Sequence, residues 1–437
     1  MTPSRRGLLG GAGLLGLAAA GPAAAAAGPK ADPAELQTIL ERYAGFGVKA
    51  SGGPGDEACG AWLEGELGRM GYVTRRQPFE VPFFTVRQAT LTSGGAHVSV
   101  VPQAIVAPTG PRGLTAPLKL ASEPGDLAGA IALVVLPYRR WVALAEPAVA
   151  QPLADAISRG AAGVVLVTTG PTGEAVALNV SSRKPPVGRP VAILAPRDAQ
   201  PFLAAATAGG VATLVLDGEA GRRQAYNLIG RLDRKAAETI VVSTPRSGWF
   251  SCAAERGSGL AVWLWLAGWL ARARSDVNVE FLATSGHEYD FVGGEHFLAE
   301  AAPPPASTRL WVHIGASAAA RDWHELGPRL LPLPSADSQR VLTATAGILE
   351  PTRQAFRGIN GLEATYLADK AMAGGELTNV LSAGYRSAIG LYGIHRYFHT
   401  AADDLRCVSG ELAAPVASAF RTAIGVAANI PELPLGR

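Results

Sequence analysis

His287 and Glu288 stand side by side just beyond a largely apolar run, Val279 to Ala283, within Phe281-Leu-Ala-Thr-Ser-Gly-His-Glu-Tyr-Asp-Phe-Val-Gly-Gly294. An adjacent imidazole and carboxylate can pass protons or hold a metal ion. The run predicts a strand. The glycine turn after it delivers both groups to the strand's C-terminal end, where open α/β sheets place their ligands. A second group of reactive types lies between Thr244 and Gly257: Arg246, Ser247, Ser251, Cys252, Glu255 and Arg256. Ser247 or Cys252, with His287 as base and Glu288 orienting it, would have the logic of a nucleophile, base and orienter. No G-x-S-x-G elbow accompanies them. Arg246 and Arg256 could clamp a substrate carboxylate, and Glu255 is a further candidate for substrate contact. The plainer alternative for the serines, the cysteine and the glutamate is turn capping. Tyr385 and His395, upstream of His399, are candidates for substrate contact, with packing at the rim as the alternative. His97, His296 and His324 fall outside these groups and read as surface or structural residues.

The elements that must position these groups are legible. Leu36, Ile39, Leu40 and Tyr43 lie at helical spacing, and Ala61 to Met70 repeats the pattern before Gly71. Ser51-Gly-Gly-Pro-Gly55 between them reads as a loop. Thr239 to Ser243 predicts a central strand, residues 257–272 a long buried helix, and residues 277–284 a second strand. Such alternation argues for a mostly parallel sheet with helices on both faces. From about residue 91 to 224 the texture differs. Short β-rich runs (130–136, 163–168, 212–216) alternate with Gly/Pro turns and an Ala-rich helix near 151–159.

Several motifs resemble the M28 family of zinc aminopeptidases and glutaminyl cyclases. Ser285-Gly-His-Glu288 is similar to the family's strand ending in Gly-x-Glu-Glu, and His399-Thr-Ala-Ala-Asp403 to its His-Thr-x-x-Asp turn. Tyr226-Asn-Leu-Ile-Gly230 is similar to its N-x-I-G strand, and the opening helix, Gly-Pro-Gly-type loop, helix and Gly71-Tyr72 turn follow its order. The resemblance implies a doubly wound α/β domain over 28–90 and 225–437. Residues 91–224 resemble an inserted protease-associated (PA) domain, on Asp126-Leu-Ala-Gly-Ala-Ile-Ala-Leu-Val134 and Gly160-Ala-Ala-Gly-Val-Val-Leu166. The family holds two zinc ions with five ligands. Here Pro245 and Ser247 fall where its first His and Asp belong, Ala254 falls at the bridging Asp, and Gly315 at the next acid. His287 replaces the general-base Glu, while Glu288 and His399 keep ligand positions. A two-zinc cluster is therefore not expected. His313 shares a strand face with Gly315, so Glu288, His313 and His399, with or without His287, could form a set for one zinc. Three polar residues hydrogen-bonded without metal are the alternative. Asp403 and Asp404 take the place of acids that orient the ligand histidine in the family.

Composition bounds the rest. The 437 residues, 48% hydrophobic and 17% charged, describe a compact chain long enough for two cores. Ser4-Arg-Arg-Gly-Leu-Leu9, an apolar stretch and Pro22 to Ala27 read as an export signal over 1–27, with the paired arginines favouring the twin-arginine route. Losing Arg5 and Arg6 takes the net charge from +3 to +1. A periplasmic or extracellular location follows. No basic run is interleaved with aromatics, so nucleic-acid binding has no support. Gly257 to Ala271 is apolar for 15 residues, short of the ~20 that span a bilayer, so no membrane span is expected. Cys59, Cys252 and Cys407 permit one bridge and one free thiol. The leading expectation is an exported hydrolase with a remodelled site, acting on an amide or related bond of a small molecule or peptide. A catalytically inactive binding protein using the same cleft is the alternative.

Overall fold

The computed structural model describes residues 30–183, 187–273, 276–327, 329–369 and 371–429. The export signal expected over 1–27 lies outside the described residues. Four strands form the centre of the large sheet: Ala388–Gly393, Thr308–Ile314, Thr239–Pro245 and Asn278–Thr284, in that spatial order and mutually parallel. Every residue of Thr239–Pro245 and Asn278–Thr284 is buried, as continuous apolar strands covered on both faces require. The sheet is mixed at its margins. Arg340–Ala344 pairs antiparallel to Ala388–Gly393, and Val211–Leu232 antiparallel to Asn278–Thr284.

Helices cover both faces. On one side Pro33–Ala44, Gly257–Arg272 and Gly410–Ala427 pack through Leu36, Leu40, Leu260, Trp263, Phe420 and Ile424. On the other, Phe297, Leu377 and Val380 from two shorter helices meet Val241, Leu282 and Trp311. Gly257–Arg272 matches its predicted span and is buried on nearly all sides, which explains its apolar run without a membrane. No helix among the described residues is long and apolar enough to cross one. A Cβ on Gly259 would lie 2.7 Å from the Gly315 carbonyl. The glycine thus lets the start of this helix press against the end of a central strand, directly behind the candidate site.

The α/β architecture is as expected. Within the segment expected as a β-rich lobe, Leu114–Leu120, Ile131–Val135, Gly163–Val167 and Val191–Leu194 make a second, parallel run of strands. Helices Pro147–Ser158 and Gln200–Thr207 flank it. Two very long strands, Val73–Ser93 and Val211–Leu232, pair antiparallel along their whole length and join the two regions.

Candidate functional site

The C-terminal ends of the four central strands release, in turn, Arg246 and Ser247, Ser285 to Glu288, Gly315 to Ser317, and His395. Each predicted strand-end group therefore reaches the same sheet edge, though their contacts divide them into separate clusters. Glu288 accepts hydrogen bonds from Ser247 Oγ (2.6 Å) and Ser51 Oγ (3.0 and 3.1 Å), and its Oε1 also accepts from the Ser51 N–H at 3.3 Å. Ser51 Oγ lies 3.1 Å from Ser247 Oγ and accepts from the Gly286 N–H at 2.8 Å. Burial raises the Glu288 carboxyl above its ordinary value, against the hydrogen bond from Ser247.

Asp56 and Arg246, both fully buried, form a second cluster through Nε–Oδ1 at 2.9 Å. Asp56 Oδ2 also accepts from Ser285 Oγ at 2.7 Å and the Gly52 N–H at 2.9 Å. The Arg246 guanidinium donates to the Ala283 carbonyl and lies over the Tyr226 ring. In this structure Arg246 is an internal counterion for Asp56, not a clamp open to a substrate carboxylate.

The third cluster holds Glu255, Arg256 and His399, all without exposure. Arg256 Nη2 is 2.8 Å from Glu255 Oε1, and His399 Nε2 lies 3.3 Å from the same oxygen. Burial opposes ionisation of Glu255, but Arg256 and His399 outweigh it and hold the carboxyl far below the ordinary range. His399 Nδ1 lies 2.9 Å from the Ala177 carbonyl, an acceptor only, which places the ring proton on Nδ1. Ala254 stands where the resemblance puts the bridging acid. It is the next residue, Glu255, whose carboxylate meets the retained His399. Glu255 is therefore an ion-pair partner inside the chain, a correction to its reading as a substrate contact, and Arg256 likewise.

His287 does not act with Glu288 as its orienter. Its Nδ1 faces Glu376 Oε1 at 3.1 Å, and Glu376 is in turn bonded by Thr284 Oγ1 at 2.8 Å. Burial, then Arg256, depresses His287 well below its usual range. The carboxylate on Ser247 is thus Glu288 directly, at 2.6 Å. Cys252 is corrected as a nucleophile. It is fully buried, and desolvation with Glu255 nearby pushes its thiol well up, whereas reactive thiols are lowered and accessible. All three cysteines are free and buried among the described residues. A disulfide-exchange reagent such as Ellman's is expected to label none of the three in native protein and all of them in denaturant. Rapid native labelling would show a site that opens.

Tyr385 precedes the strand Ala388–Gly393, so it sits at the opposite sheet edge. Its hydroxyl donates to the Pro303 carbonyl at 2.7 Å and its ring packs on Trp311, which makes it core and corrects its reading as a substrate contact. His395 is buried, 2.8 Å from Ser317 Oγ and 3.5 Å from Asp403 Oδ1. Asp403 does not orient His399. Its carboxylate accepts the N–H groups of Ala254 and Glu255, both at 2.9 Å. Asp404 pairs instead with Arg406 at the surface.

The donor set fits a metal poorly. Among the described residues the groups of His, Cys, Asp and Glu whose ligand atoms all lie within 4.8 Å are His395/Asp403/Cys407 and Cys252/Glu255/Asp403. Glu288, His313 and His399 do not come together, because Glu288 turns to the two serines and His399 to Glu255. His313 Nδ1 contacts Ser243 Oγ at 3.0 Å, and its Nε2 is buried without a hydrogen-bond partner. In the first group Asp403 is already engaged by two backbone N–H groups, and in the second Glu255 already carries a guanidinium.

Ser51, Asp56 and Glu376 were not foreseen. Ser51 stands in the Gly/Pro loop, Asp56 in the first turn of helix Pro54–Arg69, and Glu376 just before helix Leu377–Ser382. The only signal is a polar residue beside glycine: Ser51 before Gly52-Gly53, Asp56 after Gly55 and Glu376 after Gly374-Gly375.

An apolar cavity of about 380 Å³ adjoins the site, lined by Ala50, Phe83, Phe84, Trp249, Phe250 and Tyr289 among others. Four of its walls immediately flank the polar clusters in sequence: Ala50 precedes Ser51, Tyr289 follows Glu288, and Trp249 and Phe250 stand between Ser247 and Cys252.

No family model matches the chain, and no curated protein matches it. Solved structures do. The zinc aminopeptidase BSAP from Bacillus subtilis superposes with a TM-score of 0.70 at 19% identity, over 92% of this chain and 98% of that one. An M28 peptidase precursor from Shewanella amazonensis SB2B gives 0.67 at 16% identity, over 93% and 100%. An aminopeptidase from Aneurinibacillus sp. strain AM-1 gives 0.64 at 16%, over 93% and 97%. The chain has the fold of the M28 zinc aminopeptidases across nearly its whole described length, and identities this low establish the fold alone.

Proposed function

We propose that this chain is an exported, M28-fold hydrolase that cleaves an amide or related bond without a two-zinc cluster, using Ser247 as nucleophile and Glu288 as its base. One observation carries the reading: Ser247 Oγ lies 2.6 Å from Glu288 Oε2 at the sheet edge where this architecture puts its chemistry. Burial raises the Glu288 carboxyl and so brings its proton affinity closer to neutrality, as suits a general base. Ser247 oxygen would attack the substrate carbonyl carbon while its proton passes to Glu288. Collapse would break the C–N bond, and Glu288 would return the proton to the leaving amine. Water activated by Glu288 would then release the acyl group from Ser247. Arg256 donates through Nε to the Ser247 carbonyl at 2.9 Å and so sets a positive charge beside the nucleophile's backbone. The adjoining cavity suits a substrate with a bulky apolar or aromatic group. The export reading of residues 1–27 would place the reaction in the periplasm or outside the cell.

A fluorophosphonate probe and a panel of aromatic N-acyl amides test this. Covalent labelling at Ser247 is expected, and Ser247→Ala or Glu288→Gln should each lower turnover by about 10³-fold with the fold intact. Glu288→Gln activity within a few-fold of the parent would remove Glu288 from the mechanism. A second reading, a binding protein without chemistry, is favoured by the burial of Ser247, Glu255, Arg256 and Glu288. Saturable amide binding with neither labelling nor turnover would select it.

A further inference from the structure

Arg76, Arg87 and Arg222, on the two long antiparallel strands, each pair with a carboxylate: Glu64 at 2.6 Å, Asp217 at 2.9 Å and Glu80 at 3.3 Å. Arg223, next along the same strand as Arg222, has no carboxylate within ion-pair distance among the described residues. Its Nε donates to the Ser51 carbonyl at 2.7 Å and its Nη2 to the Ala50 carbonyl at 3.2 Å. These oxygens fix the guanidinium through their dipoles but do not neutralise it. Nη1 has no hydrogen-bond partner among the described residues, so the planar fork keeps donors to spare. The seat is shaped for the group. A Cβ on Gly53 would lie 3.0 Å from Arg223 Nη2, and the glycine leaves that room.

The head of Arg223 stands at the wall of the 380 Å³ cavity beside the candidate site. Its Cζ is 5.4 Å from the centroid of the Phe83 ring, and Phe83, Ala50 and Arg223 itself all line the space. Every other lining residue is apolar or aromatic. A neutral hydrophobe would fill this cavity and leave the guanidinium unmatched. A doubly charged anion would meet one cation and lose its water to apolar walls. We infer that the cavity takes an apolar monocarboxylate, aryl or alkyl, with its carboxylate on Arg223 and its body among Phe83, Phe84, Trp249 and Phe250. A guanidinium offers a carboxylate paired, charge-assisted hydrogen bonds, and these strengthen where the ligand's body excludes water. Ser51 connects this seat to the proposed nucleophile: its carbonyl holds Arg223, and its hydroxyl lies 3.1 Å from Ser247 Oγ. On the hydrolase reading, on which this last step rests, the substrate is an amide that itself carries a carboxylate.

Titration calorimetry on the full-length protein tests this with 4-phenylbutyrate and 4-phenylbutyramide, which share a body and differ in charge. The carboxylate is expected to bind the parent at least ~10-fold more tightly than the amide at low ionic strength, as a charge-assisted pair should. Added salt should narrow that margin. Arg223→Gln, which keeps a donor for the Ala50 or Ser51 carbonyl, should bring the two probes within about 2-fold of each other while the amide still binds. Arg223→Lys, which keeps the charge, should retain a preference for the carboxylate. Val86 lines the cavity and is 49% exposed, so Val86→Trp narrows the space without disturbing the core and should weaken both probes alike. The inference is overturned if neither probe binds the parent, if both bind it equally, or if the preference survives Arg223→Gln. It is overturned equally if Val86→Trp leaves both affinities unchanged, or if Arg223→Gln does not fold, which would make the guanidinium structural. Fluorophosphonate labelling at Ser247, measured separately, decides the hydrolase reading whichever way the calorimetry falls.

Discussion

Arg246→Met is expected to destabilise the protein by about 3–5 kcal/mol in denaturant unfolding at neutral pH, the usual cost of leaving a buried charge without its partner. Asp56 is fully buried, and among the described residues the cation that pairs with it is Arg246, at 2.9 Å. Ser285 and the Gly52 N–H support the carboxylate with dipoles but do not neutralise it. The guanidinium also packs on Tyr226, so methionine, which fills similar space, isolates the loss of charge from the loss of volume. Adding Asp56→Asn to Arg246→Met should restore more than half of the loss, because the double change removes both charges. An Arg246→Met chain within about 1 kcal/mol of the parent would show that hydroxyl and backbone dipoles suffice to hold Asp56.

The second large effect is a loss of stability in mild acid. Burial holds His313 at about 4, below the ordinary 6.5. Above pH 6.5 the ring is neutral in both folded and unfolded chains and contributes nothing. As pH falls below 6.5 the unfolded chain takes up the proton and the folded one does not, so stability drops by about 2 kcal/mol at pH 5 and about 3 at pH 4. His287, also depressed by burial, acts in the same direction. Glu288 and Glu376, raised by burial, act in the opposite one, because the folded state binds their protons first. His313→Asn isolates the histidine. The gap between parent and variant should narrow or reverse as pH falls from 7.5 to 5. A gap that stays constant would remove His313 from the acid response.

What the sequence disclosed follows from how local each signal is. The helix over 257–272 and the strands at 239–245 and 278–284 are long, apolar runs whose burial depends on no distant residue, and they appear where expected. The strand-end positions of Ser247 and Glu288 follow from those runs. Their partners do not. Ser51 reaches Glu288 across 237 residues of chain and Glu376 reaches His287 across 89. Nothing in the glycine-rich text around either carries a periodic pattern. The offset between Ala254 and Glu255 is of the same kind. A single-residue shift in a loop changes which side chain faces inward, and Asp403, pinning both N–H groups from the far end of the chain, helps to set that register.

The paired strands Val73–Ser93 and Val211–Leu232 have a mechanical meaning. Their ladder runs from Val73 opposite Arg231 to Ser93 opposite Ala212 with one irregularity, between Val86 and Gln88. At roughly 3.3 Å per residue this is a beam ~70 Å long, clamped at one end in the large sheet and carrying the smaller strands at the other. A load mounted this way does not turn on a pin, as a domain on a short linker would. It bends, and bending concentrates where the ladder is interrupted. The outboard load also touches the candidate site, since Ala177 exchanges backbone and ring bonds with His399, and the Val180 N–H is fastened to the Glu288 carbonyl at 3.0 Å. Deflection of the beam therefore works on those two residues with the leverage of its length. Stiffness in the ribbon, more than any contact at the cluster itself, would govern how often they part.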